Sequence, residues 1–574
     1  MVRRKQENGR VKSVPLANFH ARIVRDLVFE DGEHQSRAFT LEAELEGRRV
    51  VFTIPAAEFG RISWVLNQLG PQAIVYPGQQ QHARAAIQYL SGTVRQERIF
   101  AHLGWIKHGP EWLYLDATGA LGATGAVSGF ELQLPSALQK YQFGWAENRA
   151  ALIEAVRASL RCLSVAPDRI TFPLLGVVYR AALGKVDFSM FLAGQTGVFK
   201  TALAALCQQH FGAELDASHL PMSFASTAQA IQSLAFHAKD TLLVVDDFVP
   251  TGRYSDSALE SAAEQLFRSA GNHQGRSRMS GNGRPSAAHP PRALLLATGE
   301  KVPRGQSIRA RLLIVEVAAG DVNRTVLSDC QSVAERGLLA TSMGGFLSWV
   351  AARYDELQRR LQTRVREIRS QNHKHVVHAR LPGALAELQS AWEIFLDFAI
   401  ETGAMSNSEQ HSLVKRNREA LDQLAAAQAT YQAADPALRF VTLLQAALAS
   451  GRAHVVDRCG KAPEHPATWG WRRQVRGRWM PSGVRIGWLV GSDLFLDSAA
   501  SYDVAQQMAA ADPIQASEQT LRHRLRERGY LASVDSGRQM VQVRRTLEGT
   551  SRQVLHLKAA VLSSLSRDHR IAII

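Results

Sequence analysis

Cysteine is scarce and scattered. Cys162, Cys207, Cys330 and Cys459 are the only four, and no two stand at the Cys-x-x-Cys spacing of a zinc site. A disulfide framework is excluded with them, so a reducing, cytoplasmic compartment is expected. Long apolar runs are missing too: the basic opening MVRRKQENGRVKS has no apolar stretch behind it, and no segment nears the roughly 20 residues that span a bilayer. Neither secretion nor membrane insertion is expected. Acid is in deficit, with 52 Asp and Glu against 67 Lys and Arg. The net charge of +15 and a pI of about 9.9 point to a polyanionic partner, and DNA is the expected one. The 46% hydrophobic content is that of a globular chain, and 574 residues exceed one compact core, so three or four domains are expected.

What the chain does have is a phosphate loop. Phe188, Met190 and Leu192 form an apolar run that reads as a buried strand, and Ala202, Leu203, Ala205 and Leu206 give the following helix an apolar face. Between them lies Gly194-Gln195-Thr196-Gly197-Val198-Phe199-Lys200-Thr201, a G-x-x-x-x-G-K-[ST] spacing in every place but one. The spacing suits its chemistry. Backbone N–H groups curl round phosphate oxygens at a helix N-terminus, the lysine reaches the β and γ phosphates, and the hydroxyl meets Mg²⁺. Phe199 stands where such loops carry their second glycine, and Gly197 offers another point of close backbone approach. A plain glycine turn before a helix is the alternative reading.

About forty residues on, Asp240-Thr-Leu-Leu-Val-Val-Asp246-Asp247 is an apolar strand ending in two carboxylates. Asp246 is assigned to the metal and Asp247 to activation of the attacking water, although Asp is one methylene shorter than the Glu more usual there. A solvated turn is the bland alternative. Residues 293–297, ALLLA, form another buried strand, and Thr298 follows it as a sensor of the γ-phosphate. Three such strands with helices between them resemble an AAA+ ATPase core, which is the expected fold. Past them, Arg311 stands just before the apolar run 312–315, where a finger can cross to a neighbour's γ-phosphate; Arg309 is the second choice, and surface charge is the alternative for both.

The flanking regions are read more coarsely. Residues 20–129 are mainly strands, with helices near 59–69 and 81–90 and a hairpin around 108–110; their aromatics are taken as core, and no catalytic constellation is seen. Residues 271–285 form a Gly-, Ser- and Asn-rich loop in which Arg276, Arg278 and Arg284 would meet the phosphates of a threaded strand, or simply decorate the surface. Residues 328–449 read as helical, with a solvated basic helix at 354–369 and Arg380 as a candidate sensor 2 arginine reaching back to the nucleotide. Trp469-Gly-Trp471-Arg-Arg and Arg476-Gly-Arg478-Trp479 interleave basic and aromatic residues at strand spacing. Helix, helix, strand, turn, strand from 502 to 557 is a winged helix, whose second helix offers Gln519, Arg522 and Arg526 to DNA, with protein docking as the other use.

Taken together, Gly104-Trp105, the phosphate loop, Ser223-Phe-Ala-Ser-Thr, Leu242-Leu-Val-Val-Asp-Asp-Phe, Gly271-Asn with Arg276 and Arg278, Ala297-Thr-Gly-Glu300 and Ala310-Arg311-Leu-Leu resemble a family of AAA+ ATPases of bacterial mobile genetic elements. The family is of the domain-of-unknown-function type and is related to minichromosome-maintenance-like and Cch-type self-loading helicases. Minichromosome-maintenance helicases also lack the second glycine of the loop, having Ala there, and place an arginine finger just before a strand. The resemblance implies an α/β fold, an AAA+ P-loop core at 132–327, with an N-terminal α+β domain at 1–131, a helical lid at 328–452, and a β-rich segment plus winged helix at 453–574. It implies ATP and Mg²⁺ as cofactors and a ring-shaped homohexamer acting on DNA. An ATP-dependent helicase or translocase is the expectation; a DNA-binding initiator or switch ATPase that assembles without unwinding is the alternative.

Overall fold

The computed structural model describes residues 2–7, 10–250, 255–274, 289–371, 380–432, 436–474, 477–510, 513–514, 516–535 and 540–563. By internal contacts the chain divides into two compact units, one formed mainly by the residues up to Ala426 and the other mainly by Ala427–Ile574.

The first unit is organised round a five-stranded, wholly parallel sheet. Its elements are β1 (Ser189–Ala193), α1 (Lys200–Gln208), β2 (Met222–Ser223), α2 (Ala228–His237), β3 (Leu242–Phe248), α3 (Ser255–Asn272), β4 (Leu294–Gly299) and β5 (Leu312–Glu316). The order across the sheet is β2-β3-β4-β1-β5. Every residue of β1 is buried, as is nearly all of β3, β4 and β5, which is why these strands read as continuous apolar runs rather than alternating ones. The chain leaves β1 for the far edge at β2, steps back through β3 and β4, then crosses to β5 on the other side of β1. Strand order reverses at β1, and in open parallel sheets ligands sit beyond the carboxyl ends of the strands at such a reversal.

Upstream, strands Glu131–Leu132, Gln96–Phe100, His20–Glu30, Gln35–Leu45 and Arg48–Pro55 form one mixed sheet, and Gly104–His108 begins a four-stranded antiparallel sheet. The expected helix at 59–69 is two helices, Ala56–Arg61 and Trp64–Leu69, broken at Ile62 with φ 56°. The four-stranded sheet is bolted to the start of β3: Trp105 N–H donates to Asp240 Oδ2 at 3.1 Å, and Tyr114 Oη donates to the Asp240 carbonyl at 2.6 Å. Gly104, at φ 92°, has no room for a side chain, because a Cβ there would overlap the Lys239 carbonyl. Helices Arg324–Glu335, Leu338–Ala351, Tyr354–Gln371 and Leu381–Thr402 complete the helical layer, with Tyr179 stacked on Phe395 at 3.6 Å between ring centroids.

In the second unit, Ala453–Asp457, Val484–Val490, Asp493–Leu496, Thr550–Lys558 and Leu531–Ser533 share one sheet, and Val543–Leu547 pairs with Thr550–Lys558 as a hairpin. Helix Pro436–Ser450 lends Phe440, Val441 and Leu444 to its core, beside Trp469, Trp471 and Trp488. Among the described residues, no helix is long and apolar enough to cross a membrane.

Candidate nucleotide site

The loop after β1 is shaped by three residues. At Gly194 a Cβ would strike the Val317 carbonyl, so only glycine lets the chain turn this close to the end of β5. Gly197 sits at φ 86° with open space around it. Phe199 takes φ 67°, ψ 23° as the residue that starts α1, so it occupies the left-handed conformation that a glycine at this position would adopt at no cost. Its ring lies beneath Arg324, 5.3 Å from ring centroid to guanidinium carbon.

Lys200 and Thr201 open α1. The Lys200 ammonium donates to the carbonyls of Gly194 at 2.9 Å and Gln195 at 2.8 Å, which folds the lysine back along its own loop. Thr196 Oγ1 donates to Glu300, just beyond β4. No side chain caps α1, so its first-turn N–H groups point out of the helix with the loop before them.

From α1 a chain of polar contacts runs across the sheet. Thr201 Oγ1 donates to Asp246 Oδ1 at 3.1 Å. Thr298 Oγ1, at the end of β4 and 1% exposed, donates to the same Asp246 oxygen at 2.5 Å and accepts from the Asp247 N–H at 3.1 Å. The pairing of β3 with β4 shifts register between Val245 and Phe248, and Asp247 takes φ 69° within that shift. This irregularity separates the roles of the two carboxylates. Asp246 is half-buried and tied to two hydroxyls, whereas Asp247 is exposed and has no side-chain hydrogen bond among the described residues.

These residues suit a nucleotide and a hard divalent cation. An ammonium, a glycine-shaped loop and uncapped N–H groups form an anion cradle. One hydroxyl and one carboxylate are oxygen donors of the kind Mg²⁺ takes while keeping waters and phosphate oxygens. Among the described residues no cluster of three or more His, Cys, Asp or Glu could hold a metal ion.

The sequence-derived arginines fall elsewhere. The Arg311 carbonyl accepts from Ser189 N–H at 3.0 Å, at the amino end of β1, so a strand of five residues separates it from Gly194. That is a rise of about 16 Å. Its guanidinium donates to Asn272 Oδ1 at 2.8 Å, where α3 ends. Arg380 comes to the same place, donating to the Gly271 carbonyl at 2.8 Å and to Asn272 Oδ1 at 3.2 Å. Burial, and then the neighbouring charges of Arg380 and Arg268, lower the Arg311 pKa. Arg380 is thus grouped with Arg311 at the amino edge of the sheet and not with the phosphate loop that follows β1. Arg309 ends the short helix Gln306–Arg309.

Arg276, Arg278 and Arg284 lie outside the described residues. Gln519 and Arg526 are exposed on helix Glu518–Glu527. Arg522 is instead turned inward, donating to Ser498 Oγ at 2.8 Å and Gln542 at 3.2 Å and pairing with Glu518. Arg324, Glu300 and Asn272 were not singled out as site residues. Glu300 directly follows β4 and Asn272 belongs to the Gly271-Asn pair, so both had a local signal; Arg324 had none, being brought in only by tertiary packing.

No family model matches the chain, and no curated protein does. Among solved structures, the chain superposes on one titled SCCmec type IV Cch, active helicase, with a TM-score of 0.56 over 97% of each chain at 13% identity. The likeness is one of fold, and it extends over almost the whole of both chains.

Proposed function

We propose that the protein is an ATP-dependent DNA helicase or translocase of the replicative, mobile-element type, working as a ring-shaped homohexamer. The observation that carries this reading is the Thr201–Asp246–Thr298 chain set beside a lysine-bearing phosphate loop, with Arg311 at the opposite edge of the same sheet. In this reading, residues 194–201 bind ATP, and Thr201 with Asp246 hold Mg²⁺. That ion, when bound, neutralises charge on the β- and γ-phosphate oxygens. Asp247, exposed and free of Asp246's bonds, orients the attacking water and takes its proton. Thr298 holds the Asp246 carboxylate and the Asp247 backbone N–H through one hydroxyl.

Arg311 is too far from its own loop to serve it, so it acts on a neighbour's γ-phosphate, and the homohexamer follows from that need. Arg380 shares Arg311's anchor on Asn272 and is thereby aimed at the same neighbour. Residues 498–558, two helices followed by a hairpin, are read as a winged helix that contacts DNA through Gln519 and Arg526. Fold similarity to a Cch structure titled an active helicase supports the reading. A second reading, an initiator or switch that binds ATP and DNA without unwinding, is favoured by one feature: Phe199 in place of glycine in the loop.

The deciding experiment is displacement of a labelled strand from a forked duplex by the purified protein with ATP and Mg²⁺. Displacement that requires ATP hydrolysis supports the helicase; ATP-dependent assembly on DNA with no displaced strand supports the switch.

A further inference from the structure

Residues 465–492 contain five arginines and no acidic residue. They lie in the most basic part of the chain: residues 427–574 hold 20 Lys and Arg against 12 Asp and Glu, a net +8 of the total +15. Within them, Trp471–Arg473 and Trp479–Pro481 pair only with each other, as an isolated antiparallel ribbon in the register Arg473↔Trp479 and Arg472↔Met480.

The ribbon is rigidly footed. Trp471 is buried and its indole N–H donates to the Val455 carbonyl at 2.8 Å, while Arg472 binds the carbonyls of Leu448 and Ala449 at the end of helix Pro436–Ser450. Its turn is closed by Gly477 N–H to the Gln474 carbonyl at 2.8 Å and Gln474 N–H to the Arg478 carbonyl at 3.0 Å, with Gly477 at φ 80°. Beyond the foot, Arg473 and Arg478 are exposed, and Met480 is 40% exposed.

The charges on the ribbon are also unspent. Elsewhere in this unit Arg485 pairs with Glu548, Arg524 with Glu527, Arg522 with Glu518 and Lys558 with Asp493. Arg473 and Arg478 have no carboxylate partner among the described residues. Two exposed guanidinium groups on a stiff ribbon, with no acid nearby to neutralise them, form a receptor for a polyanion. Two strands about 4.8 Å apart with their side chains make a body that the major groove, about 12 Å wide, admits.

We infer that the ribbon is a second DNA-binding element, which grips the phosphates of duplex DNA through Arg473 and Arg478 independently of base sequence. The inference rests on the DNA-acting reading above, and it names a contact separate from helix Glu518–Glu527.

The test is fluorescence anisotropy of a random-sequence 30-base-pair duplex across a salt series, with Arg473→Gln/Arg478→Gln, the charge-keeping Arg473→Lys/Arg478→Lys, and a charge-matched control, Arg84→Gln/Arg95→Gln. Each lost phosphate contact lowers the slope of log K against log salt by about 0.9, so the Gln pair is expected to lower it by roughly 2 and weaken binding on the order of 10-fold or more at about 0.1 M salt. The Lys pair should retain the wild-type slope, and the control should retain both slope and affinity. DNA-independent ATPase activity should be the same in all four proteins, which separates a failure of the ribbon from a failure of the nucleotide site. An unchanged slope in the Gln pair, an equal loss in the control, or wild-type protein that prefers anionic lipid vesicles to duplex overturns the inference.

Discussion

The Phe199 ring and the Arg324 guanidinium lie 5.3 Å apart at the start of α1, and the arginine stands over the one loop residue that departs from the glycine pattern. A left-handed Phe costs about 1–2 kcal/mol relative to glycine, and the cation–π contact returns about 0.5–1 kcal/mol of it. Arg324 is therefore a support for the loop. Arg324→Ala should weaken binding of a fluorescent ATP analogue about 2- to 5-fold. The effect should vanish in a Phe199→Gly background, where no ring needs holding. Equal losses in both backgrounds would show that Arg324 acts on the nucleotide by another route.

One Thr298 hydroxyl links both aspartates, donating to the Asp246 carboxylate and accepting from the Asp247 backbone N–H. Thr298→Val keeps the shape, removes both bonds and leaves that N–H without its partner, a loss of about 1–3 kcal/mol. Turnover should fall by about 10²-fold with KM little changed, because the loss is of positioning rather than of ground-state contact. Steady-state ATPase kinetics check this; a rise in KM with kcat intact would place Thr298 in binding instead.

The strands that carry the site were legible because burial on both faces makes them continuous apolar runs. The expected strand at 293–297 runs Leu294–Gly299. The contacts of the arginines were not legible. Arg522 reads as a DNA contact on a helical wheel, but a side chain of its length also reaches Ser498 and Gln542, which lie 24 and 20 residues away in the chain. Likewise, the meeting of Arg311 and Arg380 at Asn272 depends on where α3 ends relative to the start of helix Leu381–Thr402, and spacing along the chain carries no sign of that.

Two buried histidines predict acid sensitivity. Burial pushes His210 and His102 down to about 4. His210 is held neutral between the Leu206 carbonyl and Ser159 Oγ, each at 2.9 Å. With folded values below the unfolded 6.5, the unfolded chain binds more protons between pH 4 and 6.5. Their stabilisation is therefore complete above about pH 6.5 and is lost as pH falls toward 4. At pH 5 each costs about 2 kcal/mol. Thermal melting should be lower at pH 5 than at pH 7, and His210→Gln should narrow that gap; an unchanged gap would mean that His210 is already charged in the fold.

Arg311 is anchored at the amino edge of β1, away from its own loop, so catalysis should be shared between subunits. Arg311→Ala subunits keep an intact loop and Lys200→Ala subunits keep an intact finger. Loss of such a finger can cost on the order of 10³-fold in turnover, so restored interfaces should stand out when the two inactive proteins are mixed. The mixture should hydrolyse ATP faster than the sum of its parts once subunit exchange is established by labelling. A mixture as inactive as either variant, with exchange confirmed, would move the role to Arg309.

Whether the loop and β3 together bind and cleave ATP is read most directly by measuring nucleotide affinity and turnover side by side in wild type, Lys200→Ala and Asp247→Asn, with and without single-stranded DNA. DNA-stimulated turnover is expected in wild type, loss of nucleotide binding in Lys200→Ala, and tight binding without turnover in Asp247→Asn, the pattern of a group used chiefly in the transition state. Full turnover in Asp247→Asn, or no ATP binding by the wild-type protein, would contradict this expectation.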